Sequence, residues 1–159
     1  MREQEDIPSF DYSGFVVGSE NEVAILYGKA EGVLAGVPFV DMVFREVGCT
    51  IEWLLAEGTH FVPRGGGRAG AVHVARVTGP ANAILMGERV ALNILCRSCG
   101  IALRARRARE IAGRKGWKGR VAATRKTTPG FRLVEKYAVL VGGCDGHRYR
   151  TGARPSLGP

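Results

Sequence analysis

Two cationic pairs, Arg125-Lys126 and His147-Arg148, are the residues of this 159-residue chain best suited to chemistry. Arg125-Lys126 ends an apolar run, Val-Ala-Ala-Thr, and is followed by Thr127, Thr128 and a Pro129-Gly130 turn. That order predicts a buried strand carrying the pair to its C-terminal end, where α/β barrels and open α/β sheets place their ligands. Thr127, Thr128 and the Gly130 amide add hydrogen-bond donors. His147-Arg148 follows Gly142-Gly143, a break that lets the backbone approach closely. Cations with exposed side chains on rigid backbone are suited to holding a multiply anionic small molecule. The expected ligand carries carboxylates or phosphates.

Three other motifs read as structural. Cys96-Arg97-Ser98-Cys99 has redox or half-zinc spacing, but no second CxxC or His pair stands at zinc spacing, and His60 and His73 are isolated. The cysteines therefore read as small core residues, with no zinc site. Gly65-Gly66-Gly67-Arg68-Ala69-Gly70 lacks the phosphate-loop spacing and precedes a strand, so it reads as a loop. Arg104 to Arg109 is a charge run on a helix, read as a solvated face before an anion or subunit contact.

The elements that must position the cations follow from periodicity. Glu22 to Lys29 reads as a strand, Gly32 to Gly36 as a turn, and Phe39 to Val47 as an amphipathic helix stopped by Gly48. Cys49 to Leu55 and Val72 to Thr78 read as strands. From Ala81 a helix follows with apolar residues on too many sides for one exposed face. It is expected to be mostly buried, so Glu88, Arg89 and Asn93 need partners or a cavity. Gly100 is expected to break or thin it before a basic helix from Ile101 to Ala112. A strand at Val121 and an amphipathic helix after Phe131 complete the pattern. The last ten residues carry no hydrophobic period and read as a disordered tail.

Composition bounds the function class. With 45% hydrophobic and 24% charged residues, the chain can bury a core. The acidic N-terminus lacks an apolar stretch, no run approaches a membrane span, and four cysteines suit a reduced compartment, so a cytoplasmic protein is expected. Residues 1–60 hold 3 Lys/Arg against 11 Asp/Glu, and residues 61–159 hold 20 against 4. A basic half can bind nucleic acid, or it can meet the acidic half of another subunit and draw in an anionic substrate. Sparse aromatic residues near the cations make the nucleic-acid reading the weakest.

The chain resembles the quinolinate phosphoribosyltransferases. The resemblance is carried in order by Gly-Val-Leu-Ala-Gly (32–36), Gly-Glu-Arg-Val-Ala-Leu-Asn (87–93), Ser-Cys-Gly-Ile-Ala (98–102), Thr-Arg-Lys-Thr-Thr-Pro-Gly-Phe-Arg-Leu-Val-Glu-Lys-Tyr-Ala-Val (124–139), Val-Gly-Gly (141–143) and His-Arg-Tyr (147–149). It implies an α/β fold with an N-terminal α/β sandwich over residues 1–103. The start of a C-terminal α/β barrel, its first strand and helix, would follow over 104–149, before a divergent tail at 150–159. The implied reaction joins quinolinate to phosphoribosyl pyrophosphate with Mg²⁺, releasing pyrophosphate and CO₂ and leaving nicotinate mononucleotide for NAD biosynthesis. Arg89 resembles a cation reaching quinolinate across a homo-oligomer, at least a dimer. Arg125, His147 and Arg148 resemble carboxylate binders. Lys126, the implied catalytic residue, resembles a contact to carboxylates or phosphates. No nucleic acid or membrane partner is implied.

The sequence departs from the family in three ways. It starts almost where the match begins, and residues 64–71 look like an insertion. The match also stops at Tyr149, whereas the family continues with the residues that hold ribose and Mg²⁺, so no protein ligand for the metal is expected here. A complete barrel takes roughly 250 residues, and only 32 follow Thr127 (159 less 127). The sequence thus reads as a truncated or alternatively spliced form, or a faulty gene model. Little or no activity is expected of it alone, and Leu133 to Val141 should be partly exposed. The alternative is a non-catalytic subunit that pairs with the full-length enzyme.

Overall fold

The computed structural model describes residues 12–65 and 70–146. In chain order the elements are α1 (Tyr12–Val17), β1 (Asn21–Gly28), β2 (Gly32–Val33), α2 (Val37–Glu46), β3 (Thr50–Trp53), β4 (His60–Phe61), β5 (Val72–Pro80), α3 (Ala81–Arg114) and α4 (Arg132–Val141). An antiparallel sheet runs β1-β5-β3, and β2 pairs with β4 in a small second sheet. β5 is central, paired on both edges, and is the most buried strand of this sheet, and a bulge lets it bury two successive residues. Leu26 faces Ala75 and Tyr27 faces His73, so Val74 is the extra residue; Val74, Ala75 and Val77 are all buried.

The sheet packs against α2 and α3. Val40 and Phe44, one helical turn apart on α2, meet Ile84, Ala91 and Leu95 of α3 and Val74 and Val77 of β5 in the main core. Ridges of small residues let the helices close: a Cβ on Gly87 would lie 3.1 Å from the Phe44 ring. α2 starts at Gly36, whose φ of 109° is one that side-chain-bearing residues rarely adopt. Its first amides are capped from a distance, with Gly36 N and Val37 N donating to the Glu57 carboxylate at 2.8 and 3.1 Å. After Val47 the chain stops at Gly48 as expected, with Cys49 N donating to Phe44 O and Gly48 N to Arg45 O.

α3 overturns two expectations. It runs unbroken for 34 residues through Gly100, where a break or thinning was expected. It is also not buried all round. Ile84, Gly87, Ala91, Leu95, Ser98 and Ala102 form a buried stripe at steps of three and four, whereas Leu85, Met86, Glu88, Arg89 and Asn93 are exposed. Gly100 lies on the exposed side. Its propensity cost of about 1 kcal/mol is outweighed by burial of the residues flanking it on the stripe.

A second core joins α3 to α4 through Val33, Ala35, Ala102 and Ala138. α4 was expected to be partly exposed over Leu133 to Val141. It is so in part: Val134, Ala138 and Val139 are buried, Tyr137, Leu140 and Val141 are half-buried, and Leu133 is largely exposed, at 62%. α4 ends as α2 does: Gly143, with φ of 82°, lets Cys144 N reach Val139 O. The expected strand at Val121 does not form. The segment makes one parallel bridge, Ala122 to Asp145, and Ala122, Thr124, Arg125 and Lys126 are exposed. A parallel strand needs neighbours on its edges, and among the described residues it has only this one. The tail and much of the glycine-rich loop (66–69) lie outside the described residues. No described helix is long and apolar enough to cross a membrane.

Candidate anion-binding loop

Residues 121–130 form a loop held at both ends. At its start, Asp145 N donates to Val121 O and Ala123 N donates to Asp145 O, each at 2.8 Å, and the Arg120 guanidinium pairs with the Asp145 carboxylate at 2.7 Å. At its end, Thr128-Pro129-Gly130-Phe131 is a tight turn in which Phe131 N donates to Thr128 O. Pro129 presets the first corner, and Gly130, at φ 74°, takes the second. Between them Lys126 N donates to the Thr124 hydroxyl, a side-chain turn that sets Arg125 and Lys126 at the apex.

The first turn of α4 supports this loop from beneath. The Glu135 carboxylate accepts from Thr128 N at 3.2 Å and from the Thr128 hydroxyl at 2.7 Å. Arg97 of α3 donates to the same carboxylate through Nε at 3.1 Å and Nη2 at 2.7 Å, and Nη2 also reaches the Thr128 hydroxyl. Lys136 Nζ donates to Thr124 O, and Arg132 Nε donates to the Thr127 hydroxyl. Glu135 and Lys136 are only 8% and 5% exposed. A buried charge needs partners, and each has them.

These contacts set the electrostatics. Burial pushes the Glu135 carboxyl up, but Arg97 and the two Thr128 donors outweigh it and hold the group below the usual value of 4.5. Burial lowers the Lys136 ammonium, and Arg132 and Arg125 push it further the same way. A carboxyl with a depressed folded-state pKa stabilises the fold above its unfolded value and loses that contribution as pH falls through the folded one. Between about pH 5 and pH 3, the wild-type melting temperature should therefore fall more steeply than that of Glu135→Gln. Calorimetry across that range checks this; parallel slopes would remove the Arg97–Glu135 pair from the fold's stability.

The residues read from sequence are distributed unevenly. Arg125 and Lys126 sit together on the loop, exposed, and no ion pair among the described residues holds either. Arg89 is exposed on α3, eight residues before Arg97 and so about 12 Å along the axis from the loop's support. It is not part of this cluster. His147 and Arg148 lie outside the described residues. In the Arg104–Arg109 run, Arg106 pairs with Glu110 and Arg107 with Glu31, which also meets His60.

Sequence reading named Thr128 as a hydrogen-bond donor of the loop but missed Arg97, Glu135 and Lys136 as site-forming residues. The available signal was a Glu-Lys pair between Val134 and Ala138 on the apolar face of an amphipathic helix, which demands buried partners. The CxxC motif holds no disulfide: Cys96 is exposed and Cys99 half-buried. Burial raises the Cys99 thiol to about 11, so it is not a thiolate at neutral pH.

Comparison with known proteins gives the family. The model of the quinolinate phosphoribosyl transferase N-terminal domain matches residues 11–99, and that of the C-terminal domain matches 101–153. The rat and human nicotinate-nucleotide pyrophosphorylases [carboxylating] are 52% and 50% identical over 149 residues, 94% of this chain and 48% of each relative. The crystal structure of NadC from Streptococcus pyogenes superposes with a TM-score of 0.79 at 33% identity, covering 92% of this chain and 51% of that one. The chain spans about half the length of the curated relatives it matches. With both domain models matched in order, and with relatives at half identity along nearly its whole length, the chain belongs to the quinolinate phosphoribosyl transferase family.

Proposed function

We propose that the 121–130 loop is the quinolinate-binding element of a phosphoribosyltransferase that makes nicotinate mononucleotide. The supporting observation is an anchored loop with two exposed cations at its apex, inside the segment that the C-terminal family model covers. Quinolinate carries two adjacent carboxylates. The planar Arg125 guanidinium suits one of them through paired hydrogen bonds, and the Lys126 ammonium is a point charge for the second carboxylate or a phosphate. In the reaction, the pyridine nitrogen bonds to the ribose carbon as pyrophosphate leaves with its electron pair. CO₂ then departs from the ring, and the carbon it leaves takes up a proton. Fixed cations stabilise both the departing pyrophosphate and the electron pair left on the ring.

Arg89 would then serve a second subunit's site, His147 and Arg148 would complete the carboxylate contacts, and the working unit would be a homo-oligomer. The Mg²⁺ expected with phosphoribosyl pyrophosphate would arrive on that co-substrate. Among the described residues no three His, Cys, Asp or Glu side chains lie together as a metal would need. These residues do not fit a protein-held metal.

Calorimetric titration of the chain with quinolinate tests the reading. Arg125→Ala should weaken binding about 10- to 100-fold, the loss of one charge-assisted pair. Wild-type protein that does not bind quinolinate, or a variant that binds it equally well, would overturn the assignment.

A further inference from the structure

We propose that Glu135 and Lys136 are positioning residues that clamp the two ends of the Thr124–Thr128 loop, fixing Arg125 and Lys126 for their ligand. The inference rests on the reading of that loop as the quinolinate-binding element. Thr124 and Thr128 flank the cationic pair, and the two adjacent side chains of α4 take one end each. Lys136 Nζ holds the Thr124 carbonyl, and the Glu135 carboxylate holds both the amide and the hydroxyl of Thr128. Arg97 fixes that carboxylate from α3. Because the clamps are neighbours on one rigid helix, the loop ends cannot drift apart without breaking one of them.

Burial makes this arrangement more than incidental. Two ionised side chains in ten-residue α4, each more than nine-tenths buried, are a costly choice where apolar residues would pack as well. The return is directional: each carries its charge to a loop backbone atom, not to the other. The Lys136 charge also lies near Arg125 and Arg132. Repulsion from that ammonium favours an outward Arg125 guanidinium, where an incoming carboxylate relieves it. Both side chains end on the ends of the loop or on Arg97 and not at its apex, so they are positioning residues and not catalytic ones.

Amide hydrogen exchange and quinolinate titration of the 159-residue chain separate the possibilities. Lys136→Met and Thr128→Val, which removes only the hydroxyl end of the clamp, should speed exchange at the 126–128 amides roughly tenfold or more while α3 amides are unchanged. Quinolinate affinity should fall about tenfold with little change in melting temperature, and Lys136→Arg should restore most of it. Leu133→Ala, exposed on the same helix turn, should alter neither. Loop exchange unchanged in both variants would sink the clamp whether or not quinolinate binds. Faster exchange with no quinolinate binding by wild type would keep the clamp and remove the ligand assignment. Faster exchange with unchanged affinity would show that the clamp does not position the cations.

Discussion

Gly142→Val should lower the melting temperature by about 6–12 °C. A Cβ at position 142 would lie 2.4 Å from the Ala102 carbonyl oxygen and 2.6 Å from the Ala105 Cβ. Neither neighbour can swing aside, because one is helix backbone and the other is a methyl fixed to it. α4 must therefore move away from α3, opening the joint filled by Val33, Ala35, Ala102 and Ala138. Overpacking of this kind costs about 3 kcal/mol or slightly more, and in a chain of this size each kcal/mol shifts the midpoint by about 2–4 °C. Gly143→Ala is the instructive control. Its Cβ would meet the movable end of Arg109, and the penalty is mainly that of a positive φ, about 1–2 kcal/mol. Scanning calorimetry ranks the two; a Gly142→Val midpoint within a degree or two of wild type would show that α4 does not depend on this contact.

That contact explains what the sequence could and could not disclose. Strands β1, β3 and β5 and helices α2 and α4 were legible because their signal is local alternation or a repeat of three and four. The continuity of α3 was not, since Gly100 looks like a breaker unless the stripe Ala91-Leu95-Ser98-Ala102 is known to be buried on the other side. The strand at Val121 failed for the opposite reason. Its local pattern was right for a barrel strand, but a parallel strand is made by its neighbours, and here it has a single bridge.

The site divides in the same way. Arg125 and Lys126 stood out because they end an apolar run and precede a Pro-Gly turn. Arg97, 38 residues before Glu135, could not be tied to the loop without knowing that α3 and α4 touch. Ion pairs across that distance leave no periodic trace. A buried charge on an apolar face is the one residue-level clue, and it signals a partner without naming it.

Glu57→Ala should cost about 3 kcal/mol, because this one carboxylate ties both the start of α2 and Tyr137 of α4 to the β3–β4 loop. It caps α2 through the Gly36 and Val37 amides, from 21 and 20 residues away, where no α2 side chain serves. It also accepts the Tyr137 hydroxyl, joining the β3–β4 loop to α4, while the Tyr137 ring meets Phe39 edge-on at 5.2 Å. An N-cap is worth about 1–2 kcal/mol and a hydrogen bond to a charged group about 1.5–3, so the midpoint should drop by about 6–12 °C. Glu57→Gln keeps an acceptor and should lose roughly half as much. Tyr137 supplies a second readout. Burial first, then the Glu57 charge and hydrogen bond, push its phenol to about 12. A raised phenol stabilises the fold below its unfolded value of about 10, and that contribution is lost as pH rises through the folded value. In Glu57→Gln the Tyr137 ring should titrate earlier, seen in the alkaline ultraviolet difference spectrum, and the fall in stability above about pH 10 should be shallower. If Tyr137 titrates unchanged while α2 loosens, Glu57 is a helix cap alone and the tie between the two cores lies elsewhere.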